Sequence, residues 1–469
     1  MENKVKINYI YSVAYQILTL ITPLITIPYV SRVFGAEYLG IYSWTNTVAQ
    51  YFVLFALMGV MNYGNRSIAR VRDNQDKLNK TFCEIYGMQL LTGVVALTAY
   101  LIYAVFIARE YKLYSIILTF YVLSAIFDIN WLFFGLEKFK LTVSRNAIIK
   151  LVTVVAILTI IKTKDDLWLY IAIFSVGMLC SSLALWPYVK KEISYVRPSW
   201  YEIKRHFKPN LIMFIPVIAV SIYKYMDKLM LGGFSKTEVG YYENVEKVFT
   251  VSLGFITAFG SVMLPRMSNI AIKSGMKTAE RTIGASMRFI LGLSFALAFG
   301  MAAVANEFVV VYFGSGFEPC ALIMISLAPT IIFQSWANVI RTQYLIPFQH
   351  DKVYVISVML GAVINFVINY FLIPGMGAIG AVIGTVAAEI SVALYQTVYS
   401  RNDLRIRKYI IEGIPFIIFG IIMFLGVRAI SRISFNSDIF KLCTEIIGGA
   451  IIYLFFWGGY ECILRKQGK

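Results

Sequence analysis

The stretch GYYENVEKVF (240–249) opens an apolar run long enough to cross a bilayer, yet it places Glu243, Glu246 and Lys247 within five residues of one another. A charged side chain at the centre of a membrane helix costs on the order of 2.5–3.5 kcal/mol unless it is paired or hydrated, so the cluster needs a reason. Two hundred residues earlier, GIYSWTNTVA (40–49) reads as its uncharged counterpart. Gly40 matches Gly240, Tyr42 matches Tyr242 and Val48 matches Val248; Phe34 matches Phe234 before them, and Arg66 matches Arg266 beyond. Ser43, Asn46, Thr47 and Gln50 stand where the second copy has Glu243, Glu246, Lys247 and Thr250. Spacing at i, i+3, i+4 and i+7 puts each set on one helix face. A polar face repeated at equivalent positions predicts two parallel lobes that turn these stripes away from lipid, into a shared aqueous cavity.

Composition sets the solvent. Of the 469 residues, 59% are hydrophobic and only 15% charged, with a mean hydropathy of +0.70. Soluble domains carry about 25% charged residues, so the expected class is an all-α polytopic membrane protein. The first run, 8 to about 33, is too long for a signal-peptide core and reads as a retained helix. A formal charge of +17 would suit nucleic acid in a polar chain. In one this apolar, basic loops signal orientation instead, and no nucleic-acid partner is expected. The five cysteines show no motif spacing, histidine is limited to His206 and His350, and no phosphate loop or nucleophile elbow occurs. Neither a metal site nor a cofactor nor catalytic residues are therefore expected.

The apolar runs divide into about 14 spanning segments. Placing the N-terminus in the cytoplasm puts most of the 43 Lys and Arg in inside loops, including RSIARVRDNQDKLNK (66–80) and RNDLRIRK (401–408), and leaves both termini cytoplasmic. KKEISYVRPSWYEIKRHFK (190–208) is the longest loop. Its Ile193, Val196, Trp200, Ile203 and Phe207 recur at helical spacing, which predicts an amphipathic segment on the inner leaflet, interrupted at Pro198. The expected organisation is an N-lobe at 1–189 (helices 1–6), a cytoplasmic linker at 190–208, a C-lobe at 209–400 (helices 7–12), and an appended helix pair at 401–469.

Further charges lie inside these runs. Lys247 is either a cavity-facing contact or the partner of Glu243 at i−4, and the repeat favours the first. YKYMDKLM (223–230) sets Lys224, Asp227 and Lys228 on one side; Lys224 is deep enough to be a contact, and Asp227 with Lys228 reads as a rim pair. Arg32 ends its helix near the outer surface, where an interfacial role competes with a cavity role. Asp128 and Asn130 close an apolar run, with Lys150 or Arg145 as candidate partners. Lys150 and Arg288 near inner helix ends read as snorkelling. Gln334, Asn338 and Arg341 form another i, i+4, i+7 polar face. Glu389 follows a seam of Gly377, Gly380, Gly384 and Ala388, and is either a coupling carboxylate or a packed, hydrogen-bonded one.

SRVFGAEYLGIYS (31–43), FDINWLFFGLEKFK (127–140), SRNAIIK (144–150), MDKLMLGGFSKTEVGYYENVEKVF (226–249) and RTQYLIP (341–347), in this order, resemble Wzx-type polysaccharide flippases. That family shares a superfamily with MATE exporters and the peptidoglycan-precursor flippase. The resemblance covers nearly the whole chain. It implies movement of an undecaprenyl-pyrophosphate-linked oligosaccharide from the inner to the outer leaflet by alternating access. It further implies the bacterial cytoplasmic membrane, a monomeric transport unit, contact with polysaccharide polymerase machinery, and cavity cations that attract the pyrophosphate. That cationic role falls by position on Lys247, Lys224, Arg32 and Arg341, with Glu243, Glu246, Asn46, Gln50 and Asn338 lining the same cavity. Asp128, Asp227 and Glu389 are the carboxylates left for ion coupling or for structure. A MATE-type exporter of small cations is the competing reading; the deep charges here lean basic, where such a cavity should concentrate carboxylates.

Overall fold

The computed structural model describes the backbone of residues 2–466 apart from 274; the side chains of 1–17, 20, 216, 219, 223, 224, 274 and 465–469 lie outside the described residues. No strand occurs among the described residues. The elements are α1 (Glu2–Leu57), α2 (Val60–Val71), α3 (Gln75–Ile102), α4 (Lys112–Ile126), α5 (Asn130–Gly135), α6 (Phe139–Ile160), α7 (Leu167–Leu183), α8 (Trp186–Glu192), α9 (Trp200–Lys204), α10 (Phe207–Gly232), α11 (Lys236–Lys273), α12 (Gly275–Tyr312), α13 (Pro319–Leu327), α14 (Pro329–Ile340), α15 (Asp351–Ser400), α16 (Ile406–Ile430) and α17 (Asp438–Lys466). Single turns of π-helix follow α3 (Tyr103–Ile107) and α14 (Arg341–Leu345).

Eleven helical stretches among the described residues are long and apolar enough to cross a membrane. Two of them contain a break. Gly35 (φ 70°, ψ 175°) interrupts α1, and Gly377 (φ 55°, ψ −133°) interrupts α15, so each holds two of the expected segments; α10 is not among the eleven. Both breaks need positive φ, which glycine alone adopts without steric cost. At Gly377 the break frees a backbone donor, and Ala378 N–H donates to Glu238 Oε2 at 2.8 Å. A buried amide without an acceptor is costly, and this carboxylate supplies the acceptor.

The chain divides into two compact units, Met1–Ser221 and Ile222–Lys469. The division falls inside α10, so residues 190–208 belong with the first unit. In that unit the buried cluster gathers Val60, Ile68, Ile85, Ile129, Trp131 and Phe133 from α2, α3 and the α4–α5 region. Trp131 is fully buried and donates from Nε1 to Gln89 Oε1 at 2.9 Å, while Gln89 Nε2 donates to the carbonyls of Ala125 (2.8 Å) and Asp128 (2.9 Å). Helices in lipid gain little from hydrophobic association and depend on close packing and interhelical hydrogen bonds, and Gln89 supplies three.

Residues 193–199 are non-helical, with Ile193 and Ser199 extended, and between the end of α8 and the start of α10 only 200–204 are helical, in place of the amphipathic helical segment expected on the leaflet. The cause is a competing set of hydrogen bonds. Gln75, Asn79 and Cys83 form an i, i+4, i+8 stripe on α3. Gln75 Nε2 donates to Glu192 O (2.7 Å), and the N–H groups of Ser194 and Val196 donate to Asn79 Oδ1 (2.9 Å) and Cys83 Sγ (3.4 Å). Alternate backbone positions of a non-helical segment are thus read by successive turns of a helix. Ile193, Ile203 and Phe207 pack on the buried cluster, whereas Trp200 stays 62% exposed. Ser199 and Glu202 close a capping box on α9, and Glu202 also pairs with Lys80.

In the second unit α12 packs against α11, α13, α14, α16 and α17, and α16 packs against α17. Small residues permit these approaches: a Cβ on Gly292 would lie 2.7 Å from the Trp457 ring. Tyr453 donates to Gly292 O at 2.7 Å from the same helix as Trp457.

Candidate functional site

The question raised by 240–249 is answered by pairing. A turn at 233–235 folds α11 back beside α10, bringing Lys228 against the stripe. Lys228 Nζ contacts the carboxylates of both Glu243 and Glu246, the latter at 2.7 Å, and Lys247 Nζ lies 3.0 Å from Glu243 Oε1. Two lysines therefore share two carboxylates, and Glu243 is held by both. Exposure is graded across the group. The Lys228 side chain is 8% exposed and that of Lys247 33%. Lys228 is thus the buried anchor, and Lys247 is the cation with room to change partner.

Asp227 does not pair with Lys228, contrary to the rim pair read from the sequence. Successive residues of a helix diverge by about 100°, so the two side chains leave α10 in different directions. Asp227 is buried, and its carboxylate accepts from Tyr242 Oη (2.6 Å), Thr385 Oγ1 (2.7 Å) and Asn369 Nδ2 (2.5 Å). No cation pairs with it among the described residues. Around it lie two buried amide atoms without partners among the described residues, Asn365 Nδ2 and Asn369 Oδ1. Gly384 makes room, since a Cβ there would fall 2.0 Å from Asn369 Oδ1.

The polar face expected on α14 disperses. Gln334 Nε2 donates to the buried Glu389, Asn338 is buried against Gly260 of α11, and the Arg341 guanidinium stacks 5.4 Å from the Tyr354 ring centroid. Arg341 opens the single π-turn that follows α14. Lys224 lies on α10, with its side chain outside the described residues. Arg288 pairs with Glu412 at 3.1 Å where snorkelling was expected.

The uncharged stripe of the first unit is mostly buried. Ser43 and Thr47 are covered, Asn46 and Gln50 are half-buried, Asn46 Oδ1 has no hydrogen-bond partner among the described residues, and Gln50 accepts from Tyr121. Arg32 is exposed. Asp128 is satisfied locally, by Asn130 N (3.0 Å) and Nδ2 (2.6 Å); Arg145 reaches Asn130 Oδ1 (3.0 Å), one step removed from Asp128. The matched tyrosines share their burial, Tyr42 at 7% and Tyr242 at 2% exposed, but the matched phenylalanines do not: Phe34 is 3% and Phe234 63% exposed.

Sequence reading did not single out Lys228 as a site residue, nor Asn365, Asn369 and Thr385. Signals for both groups exist. Lys228 follows Lys224 at i+4, and INFVINY (364–370) sets two amides at i, i+4 in an otherwise apolar run.

A family model described as polysaccharide biosynthesis protein matches residues 5–271. A protein of Escherichia coli (strain K12) named as an O-antigen transporter is 23% identical over 411 residues, covering 84% of this chain and 96% of that protein. Among solved structures, the lipid II flippase MurJ in an inward closed conformation superposes with a TM-score of 0.77 at 15% identity, covering 98% of this chain and 99% of that one. An inward-facing MATE-family multidrug transporter gives 0.59 at 12% identity, covering 83% of this chain and 98% of its own.

Proposed function

The chain belongs to the polysaccharide biosynthesis protein family, and from that premise we propose that it flips an undecaprenyl-pyrophosphate-linked oligosaccharide from the cytoplasmic to the outer leaflet. It is a multi-pass membrane transporter with the MurJ-like fold. The relative named as an O-antigen transporter, matched over nearly its whole length, supports a lipid-linked glycan as cargo. The observation that carries the reading is the set of Glu243, Glu246 and Lys247 on a helix long and apolar enough to span a bilayer, tied to Lys228 of α10.

A pyrophosphate headgroup cannot cross hydrocarbon unaided, because desolvating its charge costs far more than binding can return. It needs a polar compartment and a cation that will exchange partners. Lys247 meets this need. Its carboxylate partner, Glu243, keeps a second cation in Lys228, so an incoming phosphate oxygen can replace Glu243 at Lys247 without leaving a buried carboxylate unpaired. The cation is held in place before cargo arrives, and its charge is released to the cargo by competition.

Alternating access between two lobes, a cytoplasmic-membrane location with both termini inside, operation as a monomer and contact with the polymerase machinery complete the proposal. Asp227 is proposed as the coupling group, being a buried carboxylate that, among the described residues, is held by neutral donors, where a proton or a monovalent cation would compete with those donors. The small-cation exporter reading is weaker. The MATE structure leaves about a sixth of this chain unmatched, whereas the flippase structure covers 98% of it.

The test is polymer export in cells carrying Lys247→Ala, at matched protein level. Export should fall by about tenfold or more and be retained in part by Lys247→Arg, since a single charge-assisted hydrogen bond contributes roughly 1.5–3 kcal/mol. Unchanged export removes Lys247 from the cargo path. In proteoliposomes, export of drug cations without translocation of lipid-linked sugar would overturn the flippase reading as a whole.

A further inference from the structure

An apolar groove of about 430 Å³ lies within the second unit, walled by α11, α12, α13, α16 and α17. Its walls include Met301, Phe308, Met423, Tyr453 and Trp457, and it contains a single acidic residue, Glu445. Glu445 is fully buried, and among the described residues neither carboxylate oxygen has a hydrogen-bond partner. Cations are close at hand but engaged. Arg428 and Lys441 lie 3.3 and 3.4 Å from the carboxylate of Glu307, so both nearby positive charges serve the other glutamate.

A buried carboxylate without donors is among the costliest features a helix bundle can carry, and a partner that brings its own positive charge would relieve it. The rest of the groove says what else that partner contains. Methionines adapt to irregular apolar shapes, and aromatic rings favour a neighbouring cation. The volume is within the range of sites for molecules of a few hundred daltons, about 300–1,000 Å³. We propose that this groove binds a membrane-partitioned alkylammonium compound, its ammonium group on Glu445 and its apolar body along the methionine and aromatic wall. Charge complementarity selects this occupant over a neutral lipid chain, which would leave Glu445 as it is. The site is separate from the Lys228–Lys247 group and does not depend on the cargo proposed above.

The experiment measures equilibrium binding of tritiated decylammonium to the full chain in non-ionic maltoside micelles, with empty micelles subtracted. Saturable binding is expected, weakened about tenfold or more by Glu445→Gln and equally by Ala450→Phe, which fills the groove from an exposed position on α17. Decanol, of the same length without the charge, should not displace the probe. Should Glu445→Gln fail to elute as a folded species, Ala450→Phe and the decanol competition decide. Unchanged affinity in a folded variant, or displacement by decanol as effective as by unlabelled decylammonium, overturns the proposal.

Discussion

Lys228 and Lys247 differ in what their loss would leave behind. Removing Lys247 leaves Glu243 paired with Lys228, whereas removing Lys228 strands Glu246 and leaves Glu243 with the more exposed lysine alone. Breaking a buried pair costs roughly 3–5 kcal/mol when one charge remains uncompensated. Lys228→Ala should therefore lower the thermal midpoint of the purified protein markedly, and the double change with Glu246→Gln should recover part of that loss. Lys247→Ala should leave the midpoint nearly unmoved. Equal midpoints for the two single variants would refute the division into anchor and contact. Asp227 is placed by donors more than 140 positions away in sequence, Asn369 and Thr385, and no periodicity within α10 could have named them.

At the scale of elements, two junctions carry specific expectations. Among the described residues nothing lies within 4 Å of a Cβ built on Gly35, so a side chain there meets no steric neighbour among them. The backbone conformation is nonetheless one that glycine alone adopts readily, and Gly35→Ala should destabilise by about 1–3 kcal/mol, read as a lower thermal midpoint. The α3 clasp on the linker has a pH signature. Lys80 and the Ser199 backbone N–H hold the Glu202 carboxyl at about 2, below its ordinary value of 4.5. A depressed folded-state pKa adds stability that is present above 4.5 and is lost as pH falls from there through about 2. Pepsin cleavage within 193–204 should thus be slower in the wild type than in Glu202→Gln at pH 4.5, with the difference gone at pH 2. Exposure of Glu202 limits the size of the effect, as for any solvated ion pair. An undiminished difference at pH 2 would assign the clasp to other contacts.

For the molecule as a whole, the proposal couples transport to the charge on Asp227. If an ion or proton gradient drives the cycle through this carboxylate, Asp227→Asn should abolish the dependence of transport on that gradient in proteoliposomes. Cargo binding by the Lys247 group should be left in place. An isosteric amide can still accept from Tyr242 and Thr385, so folding is the smaller concern. Gradient dependence surviving in Asp227→Asn would move the coupling site elsewhere, with Glu389, bound to Gln334, as the next carboxylate to test.

Composition and run length determined the class, because a bilayer accepts only segments of a fixed minimum length and apolarity, and both are properties of sequence alone. Periodicity determined that 43–50 and 243–250 are polar faces, since helix geometry is local. Partner choice was decided by the tertiary structure. Lys247 was legible as a paired lysine from its i−4 neighbour, but its release from that pair depends on Lys228, which reaches Glu243 only because the turn at 233–235 sets α10 beside α11. The linker was legible as amphipathic, but its non-helical course follows from side chains on α3. Glu445 shows the limit from the other side: a glutamate in an apolar run is visible in sequence, whereas the engagement of its neighbouring cations by Glu307 is a fact of packing.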